Sequence, residues 1–253
     1  MGIRGFNQSL QAVAIMTQIS NKIFCDDFLI HLDFQNKLLP NPYYDYPYLI
    51  IKNFLSKSSC KKIVKLVQQN NDSIDAKIRQ KTDLVVEETL NKQIRKTKIY
   101  ELEEIYRKIY EKSFFKYQKQ IEDFFSMALT TSTPVQVLEY TKGSFYKAHS
   151  DDSNVLLKDD AIVGFVNVAP QRKITSVLFG TSWAKETNLT HSFNGGELVF
   201  NYLYDEKKEN IMLQPEAGDM ILFLSNPFFT HEVKEVKEGY RLTMVQWHDA
   251  IVH

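Results

Sequence analysis

His149, Ser150 and Asp151 put an imidazole and a carboxylate two residues apart, near the end of a strand-like run over 145–151. Side chains alternate faces along a strand, so residues 149 and 151 point one way while Ser150 and Asp152 point the other. The first pair can then grip one cation together, and Asp152 is expected to be solvated. Such a triplet alone says little, because most occur by chance on surfaces. His231 adds a third donor at the start of a later strand, 82 residues beyond His149. Two imidazoles and one carboxylate on one face of a metal leave the other positions open, a donor set that suits ferrous iron and dioxygen chemistry.

Arg241 lies ten residues past His231, in Tyr240-Arg-Leu-Thr-Met-Val-Gln-Trp247. Alternation sets Arg241, Thr243 and Val245 on one face and Leu242 and Met244 on the other. An arginine among apolar neighbours needs an anion, and its planar fork suits a carboxylate held by two hydrogen bonds. An internal ion pair with Glu197 or Glu232 is the plainer alternative. The other polar landmarks carry less. His191 falls in the polar loop Asn188-Leu-Thr-His-Ser and reads as exposed, and neither His248 nor His253 has a partner at useful spacing. Trp183 and Trp247 read as core bulk. Gly195-Gly196 reads as a tight bend before a strand, and no helix follows to make it a phosphate cradle.

These side chains need elements to carry them. From Pro134 onward, short runs rich in Val, Ile, Phe, Tyr and Thr alternate with Gly, Pro, Asn and Asp turns, giving strands over 135–141, 145–151, 162–168, 173–181, 196–202, 211–214, 219–224, 231–236 and 240–248. Eight or nine strands with no helix between them indicate an antiparallel sandwich or jelly roll, in which strands far apart in sequence become neighbours. Upstream, a strand over 48–54 precedes Ser56, a suitable N-cap for a helix over 57–69 with its apolar stripe at Cys60, Ile63, Val64 and Val67. A longer amphipathic helix is expected over 101–128. Residues 1–40 read as an appendage, 41–47 as a loop, and the polar stretch 70–98 shows no clear period. The expected class is α+β: one domain over 41–253, with helical support over 41–133 and a jelly-roll core over 134–248.

Composition narrows the setting. The 253 residues include 43% hydrophobic and 25% charged side chains, ordinary for a soluble domain. Lysine plus arginine total 31 and aspartate plus glutamate total 31, which argues against a general nucleic-acid binder. Lys61, Lys62 and Lys65 read as a solvated helix face. Cys25 and Cys60 have no pairing framework, and the apolar run over 12–16 is too short to span a bilayer or drive secretion. A cytoplasmic protein without a membrane partner is the expectation.

The series Tyr140…Tyr146-x-x-His149-x-Asp151, then Gly195-Gly196-Glu197-Leu198, then Pro215-x-x-Gly218-Asp219-Met-Ile-Leu-Phe, then His231-Glu-Val…Gly239-x-Arg241 resembles the prolyl-4-hydroxylase-like branch of the 2-oxoglutarate/iron(II) oxygenases. The resemblance spans residues 134–248. It implies a double-stranded β-helix with Fe(II) on His149, Asp151 and His231, and 2-oxoglutarate chelating that iron while its 5-carboxylate pairs with Arg241. It also implies oxidative decarboxylation to succinate and carbon dioxide coupled to hydroxylation of a substrate, with ascorbate as an auxiliary reductant. Tyr140 matches a family tyrosine near the co-substrate. Where relatives place a tyrosine hydroxyl on the 5-carboxylate, this chain has Phe179, so Thr175 or Thr243 would have to assist Arg241.

Two other classes use the same strands. A cupin-like metalloenzyme would keep the metal ligands and give Arg241 no co-substrate. A jelly-roll binding module would need neither, since fold alone does not fix function. Substrate identity rests on the loops: the resemblance favours an amino-acid or peptidyl residue, proline first, and a loop over 181–194 reads as a substrate lid.

Overall fold

The computed structural model describes residues 16–34, 36–38, 45–69, 73–76, 78–82, 85–89, 93–159, 161–188 and 190–252. The chain enters through a hairpin of β1 (Met16–Gln18) and β2 (Phe24–Asp26) and a one-turn helix α1 (Asp27–Ile30). Strand β3 (Leu49–Ile51) leads to α2 (Lys57–Gln69), which starts where expected because the Ser59 amide donates to Ser56 Oγ at 3.1 Å. Five short strands follow: β4 (Ile74–Asp75), β5 (Ile78–Thr82), β6 (Val85–Thr89), β7 (Arg95–Lys96) and β8 (Lys98–Glu101). Then comes α3 (Glu104–Phe125), stopped by Ser126 in the left-handed region at φ 52°.

The remainder is strand after strand: β9 (Met127–Ser132), β10 (Gln136–Tyr140), β11 (Phe145–His149), β12 (Ser153–Lys158), β13 (Ala161–Asn167), β14 (Ile174–Phe179), β15 (Ser182–Trp183) and β16 (Ser192–Gly195). It closes with β17 (Leu198–Tyr204), β18 (Asn210–Leu213), β19 (Met220–Leu224), β20 (His231–Val233), β21 (Val236–Gly239) and β22 (Arg241–Val252).

Among the described residues two large sheets result, beside a three-stranded one (β15-β16-β21) and the pairs β12-β13 and β5-β6, and in the large sheets sequence neighbours are rarely sheet neighbours. The larger runs β3-β19-β14-β22-β10-β8-β4 with β9 also on β22; the smaller runs β1-β2-β17-β20-β11-β7 with β18 on β17. One core cluster joins them, drawing Phe179, Phe223 and Met244 from the larger and Phe200, Leu203 and Val233 from the smaller. The expected jelly-roll order, with distant strands brought side by side, is therefore present. The helices cover the outer face of the larger sheet. Tyr110 of α3 reaches Ser176 Oγ at 3.2 Å, and Phe114 stacks on His248 with centroids 4.5 Å apart. Alternation then turns Thr175 and Trp247 inward, towards the smaller sheet.

Three expectations change. Residues 16–30 are no appendage: β2 pairs with β17 at Leu203 and Tyr204, and Ile19, Ile23, Cys25 and Leu29 are buried. Their apolar side chains are spaced by turns rather than by a helical or strand period, so no pattern marked them. The segment 41–133 is also more than helical support, because β8 pairs with β10 and β9 with β22, widening the larger sheet at both places. Charged side chains at the two ends of β8 hid it beside the polar stretch, and β9 starts where the helix over 101–128 was expected to end. Finally, β12, β15, β16 and β21 were not foreseen, being short or broken by glycine and charge. Among the described residues, no helix is long and apolar enough to cross a membrane.

His248, given no role from the sequence, is a core group. Its two ring nitrogens meet Ser132 Oγ at 2.7 Å and Ser176 Oγ at 2.9 Å, and burial pushes its pKa down to about 3. The unfolded chain, with an ordinary histidine near pH 6.5, therefore takes the proton first. Stability from this residue is full above about pH 6.5 and is lost as pH falls towards the folded value. Relative to His248→Gln, wild type is expected to lose about 1.4 kcal/mol of unfolding free energy per pH unit below 6.5. Urea titrations at pH 7.5, 6 and 5 check this; a constant difference between the two proteins would contradict it.

Candidate active site

Strands β11 and β20 are paired so that His149 and His231 stand opposite one another, with ring centroids 4.4 Å apart. A register irregularity between Tyr146 and His149 re-aims the strand end, a common device beside functional sites. The strand stops at His149, and Asp151 reaches the same spot from the bend that follows. Its two oxygens lie 3.8 Å from His149 Nε2 and 3.9 Å from His231 Nε2. One ligand atom from each of the three residues falls within 4.8 Å of the others, close enough to share one ion.

The supporting contacts fix which atoms face inward. His149 Nδ1 meets the Lys147 carbonyl at 2.9 Å, and His231 Nδ1 meets the Phe229 carbonyl at 2.8 Å. A carbonyl only accepts, so each Nδ1 carries the proton and each Nε2 presents a lone pair, as metal-binding histidines require. Thr175 donates its single hydroxyl proton to Asp151 Oδ2 at 2.6 Å and so accepts from Ser225 Oγ at 2.8 Å. Burial pushes the His149 pKa down to about 3, helped by the neighbouring His231, which keeps the ring neutral. For Asp151, burial alone would raise the pKa. The two imidazoles, the Thr175 hydrogen bond and Arg172 outweigh it and hold the carboxyl below its usual range. Two imidazoles that present Nε2 and one carboxylate are a ready donor set for a divalent metal.

Arg241 lies in the same cavity, which has a volume of about 920 Å³ and is also lined by Tyr140, Thr175, Thr243 and Trp247. The side chain is 1% exposed, yet its Nε and Nη1 have no hydrogen-bond partner. Aromatic rings surround the guanidinium: its Cζ is 4.6 Å from the Tyr140 ring, 5.3 Å from Phe179 and 5.7 Å from Phe193. Burial lowers its pKa, with only partial compensation from Tyr140 and Glu197. Among the described residues no carboxylate forms an ion pair with it: Glu197 accepts from Trp183 Nε1 at 2.8 Å, and Glu232 pairs with Lys234. Rings stabilise a cation by about 0.5–2 kcal/mol, which does not repay the desolvation of a guanidinium. The guanidinium is thus left with donor capacity that an anion could use. Gly196 makes room for the Arg241 side chain itself, since a Cβ there would sit 3.0 Å from Arg241 Cδ and 2.9 Å from Val236 Cγ2.

With three potential metal ligands and an arginine without a carboxylate partner among the described residues in one cavity, the comparisons with known proteins become specific. The sequence profile of the 2OG-Fe(II) oxygenase superfamily matches residues 135–249, the segment that carries every one of these residues. Residues 135–249 are similar to a 2OG-Fe(II) oxygenase domain. A PKHD-type hydroxylase of Prochlorococcus marinus is 42% identical over 60 residues, which is 24% of this chain and 24% of that protein. The match thus spans about a quarter of that relative's length. Among solved structures, a Pseudomonas putida prolyl-4-hydroxylase superposes with a TM-score of 0.52 at 16% identity, covering 81% of this chain and 92% of that one. A viral collagen prolyl hydroxylase from Paramecium Bursaria Chlorella virus-1, solved with 2OG, gives 0.52 at 18% identity over 81% and 97%. At these identities the likeness shows the fold: a double-stranded β-helix like that of the prolyl hydroxylases.

Within this segment, the remaining expected positions divide. Tyr140 and Thr243 sit with Arg241, on paired strands β10 and β22, both facing the cavity. Thr175 does not assist Arg241; it holds Asp151 instead. It is four residues from Phe179 along β14, about 13 Å at strand rise, and the register pairs it with Trp247. Asp152 turns away from the metal group as alternation requires, but it is buried rather than solvated. It accepts from Ser150 Oγ at 3.1 Å, and burial raises its pKa to about 6. The supposed lid over 181–194 is tied down by β15 and β16, with Phe193 fully buried, and none of its described residues lines the cavity. Trp247, read as core bulk, faces the cavity, and Arg172 lies over its ring at 3.8 Å while donating to the Asp151 carbonyl at 3.1 Å. Arg172, Ser225 and Arg95, the last stacked over Tyr146 at 4.5 Å, had no signal in the sequence beyond their side-chain types. Tyr146 in turn stacks on His149 with centroids 3.5 Å apart.

Proposed function

We propose that this chain is an Fe(II)- and 2-oxoglutarate-dependent dioxygenase that hydroxylates an amino-acid or peptidyl residue, a prolyl one first, with release of succinate and carbon dioxide. In this reading His149 Nε2, His231 Nε2 and an Asp151 oxygen hold iron, and Arg241 takes the 5-carboxylate of 2-oxoglutarate, with Tyr140 and Thr243 beside it. Ferrous iron would supply the redox chemistry that couples dioxygen to decarboxylation of the co-substrate and insertion of oxygen into a C–H bond. The chain's own part is to fix both imidazoles in one tautomer, keep Asp151 ionised through Thr175, and give a dicarboxylate one dry cationic anchor.

The observation that carries this reading is the buried Arg241 guanidinium, without a partner on Nε and Nη1, in the cavity that holds the metal group. A cupin-like enzyme or a binding module has no use for that arginine. The free thiols of Cys25 and Cys60 fit a reducing compartment, the cytoplasm. The direct test is incubation with Fe(II), ascorbate, oxygen and 2-oxoglutarate, with mass spectrometry of added prolyl peptides. Succinate formed together with a 16-dalton gain on the peptide is the expected result. No succinate and no 2-oxoglutarate binding would remove the proposal.

A further inference from the structure

Arg241 lacks a carboxylate partner among the described residues although one carboxylate stands close by. Gly195 and Gly196 both adopt left-handed backbone, at φ 68° and 62°, and turn the chain against the arginine. A Cβ on Gly196 would lie 3.0 Å from Arg241 Cδ. The next Cα along the chain is only about 3.8 Å further on, and it belongs to Glu197. Burial lowers the Arg241 pKa, and Glu197 works against that lowering behind Tyr140. A buried guanidinium and a carboxylate this near one another ordinarily close into an ion pair, because the unpaired charge is costly to bury. Here they do not: Arg241 Nε and Nη1 stay unpartnered.

The reason lies on the other side of the carboxylate, where Trp183 Nε1 donates to Glu197 Oε1 at 2.8 Å. The indole is itself fixed. Its backbone N–H donates to the Pro215 carbonyl at 2.9 Å, its ring packs against the core, and β15 pairs with β16 at Phe193. Phe193 is one of the rings around the guanidinium, so donor, acceptor and arginine belong to one connected wall. An indole N–H can only donate, and a hydrogen bond to an ionised acceptor is roughly twice as strong as a neutral one. Without that N–H, the carboxylate is free to turn to the planar fork of the arginine, which offers it two bonds and the opposite charge. We propose that Trp183 is a positioning residue whose indole N–H holds the Glu197 carboxylate off Arg241 and so keeps the guanidinium open for the carboxylate of a ligand. That this ligand is 2-oxoglutarate rests on the oxygenase reading above; the restraint on Glu197 does not.

Trp183→Phe keeps an aromatic ring and deletes the donor. Calorimetry on the full chain loaded with Mn(II) reads 2-oxoglutarate affinity without turnover. The variant is expected to bind 2-oxoglutarate at least about tenfold more weakly than wild type, because an internal anion now competes for the arginine. Adding Glu197→Gln is expected to restore affinity to within about threefold of wild type, since an amide carries no charge. A tryptophan that only props the fold gives a loss that Glu197→Gln does not rescue, and that result overturns the proposal, as does unchanged affinity in Trp183→Phe. Urea unfolding of the metal-free protein supplies an arm without ligand. There Glu197→Gln is expected to lower the midpoint more in the Trp183→Phe background than in wild type, because only there does it break a pair with Arg241. Should Trp183→Phe not fold, Glu197→Gln alone decides. Affinity close to wild type sustains the restraint, whereas a gain of about tenfold or more shows the carboxylate competing in spite of Trp183 and overturns it. A wild type that binds no 2-oxoglutarate removes the oxygenase reading; the unfolding difference then still upholds the restraint, and its absence rejects it.

Discussion

Arg241→Met is expected to raise the 2-oxoglutarate concentration needed for half-maximal succinate formation by at least about 100-fold, without weakening the metal-free fold. Each hydrogen bond to a charged group contributes about 1.5–3 kcal/mol, and losing two of them removes about 3–6 kcal/mol of co-substrate binding. Stability is expected to move the other way. The guanidinium is buried with Nε and Nη1 unpartnered, and burial already lowers its pKa. Replacing a poorly compensated buried charge with an apolar side chain of similar length is neutral or stabilising, on the order of 1–4 kcal/mol. Urea unfolding of the metal-free protein, beside 2-oxoglutarate titration of the iron-loaded one, reads both effects. A structural arginine gives the reverse pattern: a fold weakened by several kcal/mol and co-substrate affinity left intact.

Asp151→Ala is expected to cost at least about 100-fold in Fe(II) affinity and to reduce succinate formation to background. Loss of a partner that merely orients a metal ligand costs 10–100-fold, so loss of a ligand sets that range as a floor. Asp152→Asn is the matched control, since that neighbour is equally buried but faces Ser150 and Asn167. It should bind iron like wild type. Anaerobic calorimetry with Fe(II) separates the two, and equal affinities for the Asp151 and Asp152 variants would dismiss the assigned ligand set.

The residues that meet at the metal group were legible because each sits where a strict period speaks. Arg241, Thr243 and Val245 alternate in a long strand whose other face, Leu242 and Met244, is wholly buried. Both faces of β22 are covered, so its register could not slip without burying the wrong side chain. His149 and His231 could be matched by spacing within a recurrent order of motifs. What stayed hidden lies where pairing, not periodicity, decides the structure. β2 is a three-residue strand held by β17, and β8 is charged along its exposed positions, so neither has a pattern strong enough to read alone. Thr175 was misassigned for a related reason. Alternation gives its face correctly, but only the register against β22 tells how far along that face it stands from Arg241. Arg172 was beyond reach because its place depends on where the β12–β13 hairpin returns the chain.

The two imidazoles are held on their outer nitrogens by the Lys147 and Phe229 carbonyls. The rings have little torsional freedom left to lose, so capture of a cation asks almost no rearrangement of the protein. A cradle that is finished in advance cannot easily tell one first-row dication from another by adjusting its shape. Intrinsic preference then takes over, and it ranks copper, nickel and zinc above ferrous iron. If iron is the resident ion, its occupancy would then depend on the relative abundance of these ions around the protein, with displacement by a tighter-binding competitor as the hazard.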